Sequence, residues 1–567
     1  MLRVSTLNPF TEQYAIFAVL LILGFLIGNL LRKIRLSPAI GYLVAGLIVG
    51  LLTEIPKELS VVLTYLSEIS ILLLFFEIGF EIHVTKLKQI SSFPLYLSLF
   101  EMSIAIPLTI GTCMVLGLDI NDALILGLIT SFSSTILTYK LLEEYKPSGN
   151  EVFKTVLMVA AVEDVVIVIA LAMIQGINMP IHIFIVEITA LGLAIFFLSL
   201  ELVEKLFSRV IKPDDSGLIL LISYGLLLGL ITAYLGLGPA LGAFIAGVTL
   251  SSLKISKELI RMFKPVRAVF LTLFLIFMGL NISSIHVDFN SISLLILISL
   301  IMSIIHAFST ITSSVMVSGL GIRQGMEAGF YLSTISELSL VIAYYATGTG
   351  IASSHVLTIS ALAIVFASLL SSSLISLKDV MISKFLSKVL GDVALHLDDI
   401  TLRFRRLVEG HAHDRVQRVF KTILHNVGEI LVMLLITYTV MSEIYIRLGL
   451  IALILSVSIG LPIAYIITHR LIGRTKLLIH ELLASIDREF TQYLEMLIRR
   501  FLFTIVIAIT MELAVLIAIF RYSELLVDIV GKQYLGMITI LASLIPPLLI
   551  LTMSIYVLIK LRRISYP

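Results

Sequence analysis

Uninterrupted apolar stretches, each long enough to cross a bilayer, recur through the first two thirds of the chain, separated by short turns containing charged, Gly or Pro residues. A transmembrane helix needs about 20 apolar residues. On that scale the pattern predicts thirteen spans, near 13–31, 38–52, 60–81, 93–117, 122–142, 152–175, 181–204, 217–236, 238–253, 266–283, 290–318, 325–347 and 355–375. The second and ninth are short and rich in Gly and Ala. Beyond residue 377 the pattern changes. Two charged amphipathic stretches, 378–425 and 470–500, each lead into a hydrophobic hairpin, 427–441 with 448–468 and 502–520 with 535–559. The expected organisation is a thirteen-span domain over 1–377, then a C-terminal module over 378–567. In that module, cytoplasmic amphipathic helices alternate with four transmembrane helices as a loose tandem repeat.

Composition narrows the class. Of 567 residues, 59% are hydrophobic and 14% charged, with a mean hydropathy of +1.09. These values exclude a soluble globular protein and indicate an all-α, multi-pass membrane protein. The net charge of +2 says little about partners, because topology distributes the charge. The single cysteine, Cys113, excludes an intrachain disulfide and a Cys-rich metal site. Met1 to Gln13 lacks the basic region and cleavage site of a signal peptide, so the first helix is expected to remain in the mature protein.

The loops then set an orientation. Alternate connections hold seventeen Lys and Arg, from Arg32, Lys33 and Arg35 after the first span to Arg323 before the twelfth. The opposite set holds only Arg3 and Lys57. This is the positive-inside asymmetry. It places the N-terminus outside the cell membrane and the end of the thirteenth span in the cytoplasm. The chain then closes inside at Lys560, Arg562 and Arg563.

Against this apolar background a few midspan polar residues stand out. Glu163 and Asp164 lie at the centre of the sixth span. Each ionisable group at that depth costs about 2.5–3.5 kcal/mol on the insertion scale, so such groups face protein or water rather than lipid. On a helix the two point about 100° apart. Ala160 and Ala161, one turn earlier, permit close approach of neighbouring helices. The pair can bind a small cation and carry protons, or it can form internal ion pairs that hold the bundle together.

Two further spans carry central polar runs, Thr130-Ser131-Phe132-Ser133-Ser134-Thr135 and Ser333-Thr334-Ile335-Ser336-Glu337-Leu338-Ser339. Hydroxyls at the midplane re-satisfy backbone groups where a helix unwinds. Matching polar breaks in corresponding segments of two halves point to a transporter site. These two lie seven spans apart, and an odd offset reverses direction through the membrane, as inverted repeats require. The plainer reading is interhelical Ser and Thr packing.

His306 lies mid-span in the eleventh segment, where it can pair with Glu163 or remain neutral within the bundle. Glu77 and Glu81, toward the cytoplasmic end of the third span, could form a cation funnel, with a solvated helix end the simpler role for Glu81. Glu512 is mid-span in the C-terminal module without an assignable partner. No Walker A motif or dinucleotide fingerprint is present, so neither ATP hydrolysis nor an enzymatic activity is expected.

Several stretches together resemble the monovalent cation:proton antiporter-2 family, which includes bacterial Na+/H+ antiporters and Kef-type potassium efflux proteins. They are Leu72 to Glu81, Ser133-Ser134-Thr135 with Lys140 to Glu144, Glu163-Asp164, Gly238 to Gly247, Phe277 to Leu280, and Ser336 to Val341. They cover residues 10 to 375 in the family's order. The resemblance implies a thirteen-helix inverted-repeat fold with two discontinuous, crossed helices, working as a homodimer by elevator-type alternating access. It implies that Asp164 and Glu163 bind the cation or proton, with oxygen ligands near Ser133, Ser134 and Thr135. His306, Glu337 and Glu77 would support them.

Three departures accompany the resemblance. Glu163 stands where relatives have Asp, Asn or Gln. His306 falls near a position where many carry a lysine that pairs with the first acid. Thr334-Ile335-Ser336 replaces the family's Arg-Gly or Gly-Gly before Glu337. The Kef nucleotide-binding domain has no counterpart here. The expected activity is exchange of H+ for Na+, or alternatively for K+. The expected partners are these ions, membrane lipid and a second copy of the chain, with no cofactor, nucleotide or nucleic acid. A non-transporting ion receptor is the rival from another class.

Overall fold

A computed structural model describes residues 9–33, 37–81, 93–175, 181–207, 211–285 and 289–385. The described elements are helical. In chain order they are α1 (Pro9–Lys33), α2 (Pro38–Leu52), α3 (Lys57–Glu81), α4 (Phe93–Val115), α5 (Ile120–Thr130), α6 (Thr135–Tyr145), α7 (Asn150–Gln175) and α8 (Ile181–Leu202). A π turn, Val203–Phe207, follows α8. Next come α9 (Asp215–Tyr234), α10 (Pro239–Leu250), α11 (Ser256–Ser283), α12 (Phe289–Val317), α13 (Ile322–Leu332), α14 (Ser339–Gly348), α15 (His355–Ser376) and α16 (Lys378–Phe385). Eight of the described helices are long and apolar enough to cross a membrane. The expected C-terminal module beyond Phe385, including both hairpins and Glu512, lies outside the described residues.

The spans predicted at 122–142 and 325–347 are each interrupted into two short helices, at the polar runs where a break was expected. The first is α5 and α6, separated at residues 131–134; the second is α13 and α14, separated at 333–338. Apolar length alone reads straight through such interruptions. The polar runs mark where they fall.

The chain forms two compact units. The first draws its described residues from 1–98, 124–311 and 327–378, and the second from 99–123, 312–326 and 379–385. The second unit is built on parts of α4, α5, α12, α13 and α16. Gly319 and Gly321, with φ of 66° and 85°, shape its turn before α13. Such left-handed backbone favours glycine.

In the first unit, sequence chemistry sets the helix starts. Ser37 caps α2 by accepting from the Ala39 N–H at 3.3 Å, and Pro38 takes the first helical position. Gly238, at φ 79°, turns the chain into α10, again with Pro first. The two helices repeat a pattern. Pro38-Ala39-Ile40-Gly41-Tyr42-Leu43-Val44-Ala45-Gly46 matches Pro239-Ala240-Leu241-Gly242-Ala243-Phe244-Ile245-Ala246-Gly247 at Pro, both Ala and both Gly.

The packing repeats as well. A Cβ on Gly46 of α2 would stand 2.1 Å from the Ile276 carbonyl oxygen of α11, and one on Gly279 of α11 would stand 2.1 Å from the Leu43 carbonyl oxygen. A Cβ on Gly247 of α10 would meet the Phe76 carbonyl of α3 at 2.1 Å, and one on Gly79 of α3 the Phe244 carbonyl at 2.1 Å. Both helix pairs therefore touch backbone to backbone, the contact small residues permit between membrane helices.

A buried ion pair ties Lys378, the first residue of α16, to Glu327 in the middle of α13. Glu327 is 2% exposed and accepts from Lys378 Nζ at 2.5 Å, the Ser148 N–H at 3.1 Å, and the Ser148 hydroxyl. Lys378 also donates to the Lys146 carbonyl at 3.3 Å. Lys146 adopts φ 45°, a left-handed conformation unusual for a residue with a side chain. Removing one partner strands the other in a buried site. Glu327→Ala is expected to cost about 3–5 kcal/mol, whereas the double replacement Glu327→Met with Lys378→Met recovers most of it. Thermal unfolding of the three purified proteins checks this, and equal losses in single and double variants would refute it.

Candidate functional site

The two helix interruptions meet. The Ser134 N–H donates to the Thr334 carbonyl at 2.8 Å, and the Ser336 N–H donates to the Phe132 carbonyl at 2.9 Å. Together they make a one-residue antiparallel bridge between Ser133 and Ile335. Each broken strand thus supplies what the other's unwound backbone has lost.

Hydroxyls satisfy much of the remainder. Thr130 donates to the Leu126 carbonyl at 2.7 Å, Ser131 to Leu128 at 2.7 Å, Ser333 to Gly329 at 2.6 Å, and Thr138 to Tyr331 at 3.0 Å. Irregular backbone is tolerated at membrane depth only when its polar groups are satisfied in this way. His306, fully buried on α12, braces the crossing from behind. Its Nε2 lies 3.1 Å from the Leu332 carbonyl and 3.3 Å from that of Thr334, so this nitrogen donates.

Against the crossing packs α7, an unbroken helix that buries Glu163 completely and leaves Asp164 7% exposed. As consecutive helical residues they diverge, and each finds its own partner. Glu163 Oε2 accepts from the Ser133 N–H at 2.7 Å, within the first break. Asp164 Oδ2 accepts from the Thr135 hydroxyl at 2.8 Å, at the first residue of α6. A third carboxylate comes from the second break, where Glu337 Oε2 accepts from the Ser134 hydroxyl at 2.5 Å. Ser134 Oγ in turn accepts from the Leu137 N–H at 3.1 Å and so caps α6. The N-terminal turns of α6 and α14, next to Asp164 and Glu337, present the positive ends of their dipoles, which favour negative charge there.

Some oxygens in this arrangement remain unbonded. Asp164 Oδ1 and Ser133 Oγ are buried without a hydrogen-bond partner, as is Glu77 Oε1. A buried carboxylate oxygen left unpaired is costly. Asp164 lines a cavity of about 50 Å³, together with Thr135, Glu337, Glu77, Glu81 and Arg267. That volume accommodates water or a small ion. Its donors are carboxylate and hydroxyl oxygens, the ligand type that suits hard cations and protons.

All eight residues singled out from the sequence lie in the first unit. Six of them, Ser133, Ser134, Thr135, Glu163, Asp164 and Glu337, bond directly at or beside the crossing. His306 reaches it through backbone carbonyls. Glu77 lies apart from these hydrogen bonds but opens on the same cavity, where it is ion-paired with Arg267 of α11.

Arg267 itself was missed. At the start of a hydrophobic run it counts as one more cytoplasmic charge, although its side chain is only 18% exposed. Thr334, which bonds Ser134 and Thr138 across the crossing, was visible as a member of a polar run and of a departure from the family pattern, without a role. Glu68 and Tyr345 were also missed. The Tyr345 hydroxyl donates to Glu68 Oε2 at 2.5 Å and joins α3 to α14. A glutamate inside the third span was the signal available for that contact.

Comparison with known proteins is consistent across sequence and structure. The profile of a family described as sodium/hydrogen exchanger, transmembrane, matches residues 17–377. The ammonium/H+ antiporter subunit AmhT of Alkalihalophilus pseudofirmus is 29% identical over 341 residues, covering 58% of this chain and 86% of that protein. A Na+/H+ antiporter of Enterococcus hirae is 22% identical over 375 residues, covering 64% and 96%. The solved structure of the sodium proton antiporter MjNhaP1 from Methanocaldococcus jannaschii aligns with a TM-score of 0.51 at 16% identity. It covers 68% of this chain and 99% of that one, a likeness of fold.

Proposed function

The chain belongs to the sodium/hydrogen exchanger family, and from that premise we propose that it is a secondary antiporter exchanging H+ for Na+ across the cell membrane. One observation carries the reading. Asp164 holds one oxygen on the Thr135 hydroxyl and presents the other, buried and unpaired, beside a small oxygen-lined cavity at the crossing of two broken helices. A single carboxylate cannot hold a proton and a cation together. Occupation of Asp164 by one therefore releases the other, and exchange is coupled without any further energy source.

Residue roles follow from the bonds. Asp164 is the exchanging group. Thr135 orients it, and Ser133 Oγ, unbonded in this conformation, supplies a further ligand. Glu163 accepts the Ser133 N–H, so its charge is felt at the break itself. Glu337, from the second break, also reaches the first break by accepting the Ser134 hydroxyl. His306 ties the carbonyl ends of α13 to α12.

The fold in this reading has thirteen spans as an inverted repeat. The repeated Pro-to-Gly pattern of α2 and α10 supports it, as do the reciprocal glycine contacts with α11 and α3. The crossing moves against that scaffold in elevator fashion, and two copies associate as a homodimer. With the N-terminus outside, the Glu77 and Glu81 end of α3 faces the cytoplasm, and the cavity is the inward path.

The test is flux. Purified protein in liposomes with a trapped pH dye is titrated with Na+, K+ and Li+ over the acid to alkaline range. Dye recovery dependent on Na+ is the expected result. Recovery with K+ alone would make it a potassium/proton antiporter. No response to any cation from verified folded protein would overturn the transport reading in favour of an ion-sensing receptor.

A further inference from the structure

The cavity beside Asp164 already has a cation at its wall. Arg267 reaches it from α11 and pairs through Nε with Oε2 of Glu77 on α3. One turn nearer the helix end on each side, Lys264 pairs with Glu81 at 3.3 Å. Two acids four residues apart on α3 thus face two bases three residues apart on α11. The pairs differ in depth. The side chains of Lys264 and Glu81 are 56% and 47% exposed, while those of Arg267 and Glu77 are 18% and 5% exposed. The outer pair is an ordinary surface contact of little energetic weight. The inner pair is desolvated.

We propose that Arg267 sets the cation affinity of the exchange: its guanidinium is a tethered competitor that an incoming cation must displace from Glu77 to reach Asp164. The proposal rests on the antiporter reading for its setting, and three observations carry it. First, the contact is made through Nε to one oxygen, not through the two-point fork that arginine offers a carboxylate at its strongest. Second, Glu77 Oε1 and Asp164 Oδ1 are both buried and unpaired, and both residues line the same cavity. A small cation there would satisfy oxygens that the guanidinium does not. Third, Arg267 is the basic side chain lining this cavity, whose other charged residues are Glu77, Glu81, Asp164 and Glu337. Lys264 offsets Glu81 and Arg267 offsets Glu77, while Asp164 and Glu337 add negative charge at the cavity that a monovalent cation or a proton would offset.

Guanidinium is weakly hydrated and compatible with a partly buried pair. Swinging toward the exposed end of the cavity parts it from Glu77 and returns it to water. Its charge nonetheless repels any cation approaching Asp164 while it stays in place. Removing it takes the guanidinium away from Glu77, beside Asp164 and Glu337, and strengthens cation retention. A unit charge at this range in a partly buried site supports an effect of about tenfold or more.

The experiment compares wild type, Arg267→Gln, Arg267→Ala, Arg267→Lys and Lys264→Gln in proteoliposomes of known orientation. The apparent KM and kcat for Na+ are measured from the cavity side. Arg267→Gln and Arg267→Ala are expected to lower KM about tenfold and to lower kcat, because the cation is released more slowly. Arg267→Lys should keep a KM close to wild type. Lys264→Gln, which removes the exposed pair, should leave both constants unchanged. Free guanidinium ion added on the cavity side should raise the KM of Arg267→Ala back toward wild type, competitively with Na+, and have little effect on wild type.

An unchanged KM in Arg267→Gln overturns the proposal. So does a loss of rate shared by Arg267→Lys, or guanidinium acting equally on every variant. Each of these would make the pair a structural tie only. Na+-dependent thermal stabilisation of the same proteins in detergent gives a readout independent of transport. A stabilisation midpoint shifted to lower Na+ in Arg267→Gln, in protein that carries no flux, would uphold the competitor while overturning the antiporter reading. No Na+ stabilisation of any protein would overturn both.

Discussion

Asp164→Asn abolishes cation-dependent proton movement, with residual dye recovery at least about 100-fold below wild type, the equivalent of about 2.7 kcal/mol. The substitution is nearly isosteric. The amide oxygen still accepts the Thr135 hydroxyl bond seen at 2.8 Å, so the contact between α6 and α7 survives. What is lost is a group able to alternate between holding a proton and holding a cation. The variant should therefore purify in wild-type yield and unfold within a few degrees of it. Thermal unfolding and flux are read on the same preparation. Retained cation-dependent proton movement would remove Asp164 from the mechanism and move the exchanging role to Glu163 or Glu337.

Gly279→Val leaves no stable folded protein. The added Cβ would stand 2.1 Å from the Leu43 carbonyl oxygen and 2.7 Å from the Leu47 nitrogen. Backbone atoms cannot rotate away as a side chain can, so α2 and α11 must separate. The expected loss exceeds about 4 kcal/mol, in the range reserved for gross steric or cavity defects. Gly192→Val is the control. It lies in α8, where an added Cβ has no neighbour within 4 Å. It bears the same change in helix propensity without the clash. Size-exclusion profiles and melting temperatures of the two proteins separate the causes. Monodisperse, stable Gly279→Val would show that the helix pair tolerates separation.

What could be read from the chain was the set of residues that are expensive where they lie. Glu163, Asp164 and the two serine-rich runs occupy the middle of apolar stretches, where polarity must be justified by a partner or by function. The structure brings them to one place. What could not be read was who bonds whom. The bridge between Ser133 and Ile335 depends on the register of two segments about 200 positions apart, and no local pattern encodes that register. The breaks in 122–142 and 325–347 were legible as polar runs, but the partners that repair them lie in a distant segment of the same chain and were not.

Arg267 escaped for a different reason. A basic residue near a cytoplasmic helix end already has an explanation in topology, and only its burial against Glu77 reveals another. Glu327 likewise follows Arg323 at the beginning of a helix, where a charge attracts no notice. Its partner Lys378 lies 51 residues further on. The repeat of Pro38–Gly46 in Pro239–Gly247 was present in the letters all along. Its meaning, a backbone seam on each side, appears only when the helices are packed.

That seam has a use for anyone measuring motion in this molecule. Glu77 is two residues from Gly79, whose backbone touches that of α10, whereas Asp164 rides on α7 beside the crossing. Distances from α3 to α10 should stay constant through a transport cycle, and distances from α3 to α7 should not. Probes placed on these three helices therefore provide a benchmark and a gauge in a single chain. A displacement of the site can be read from within one protomer, without reference to the bilayer or to a second copy.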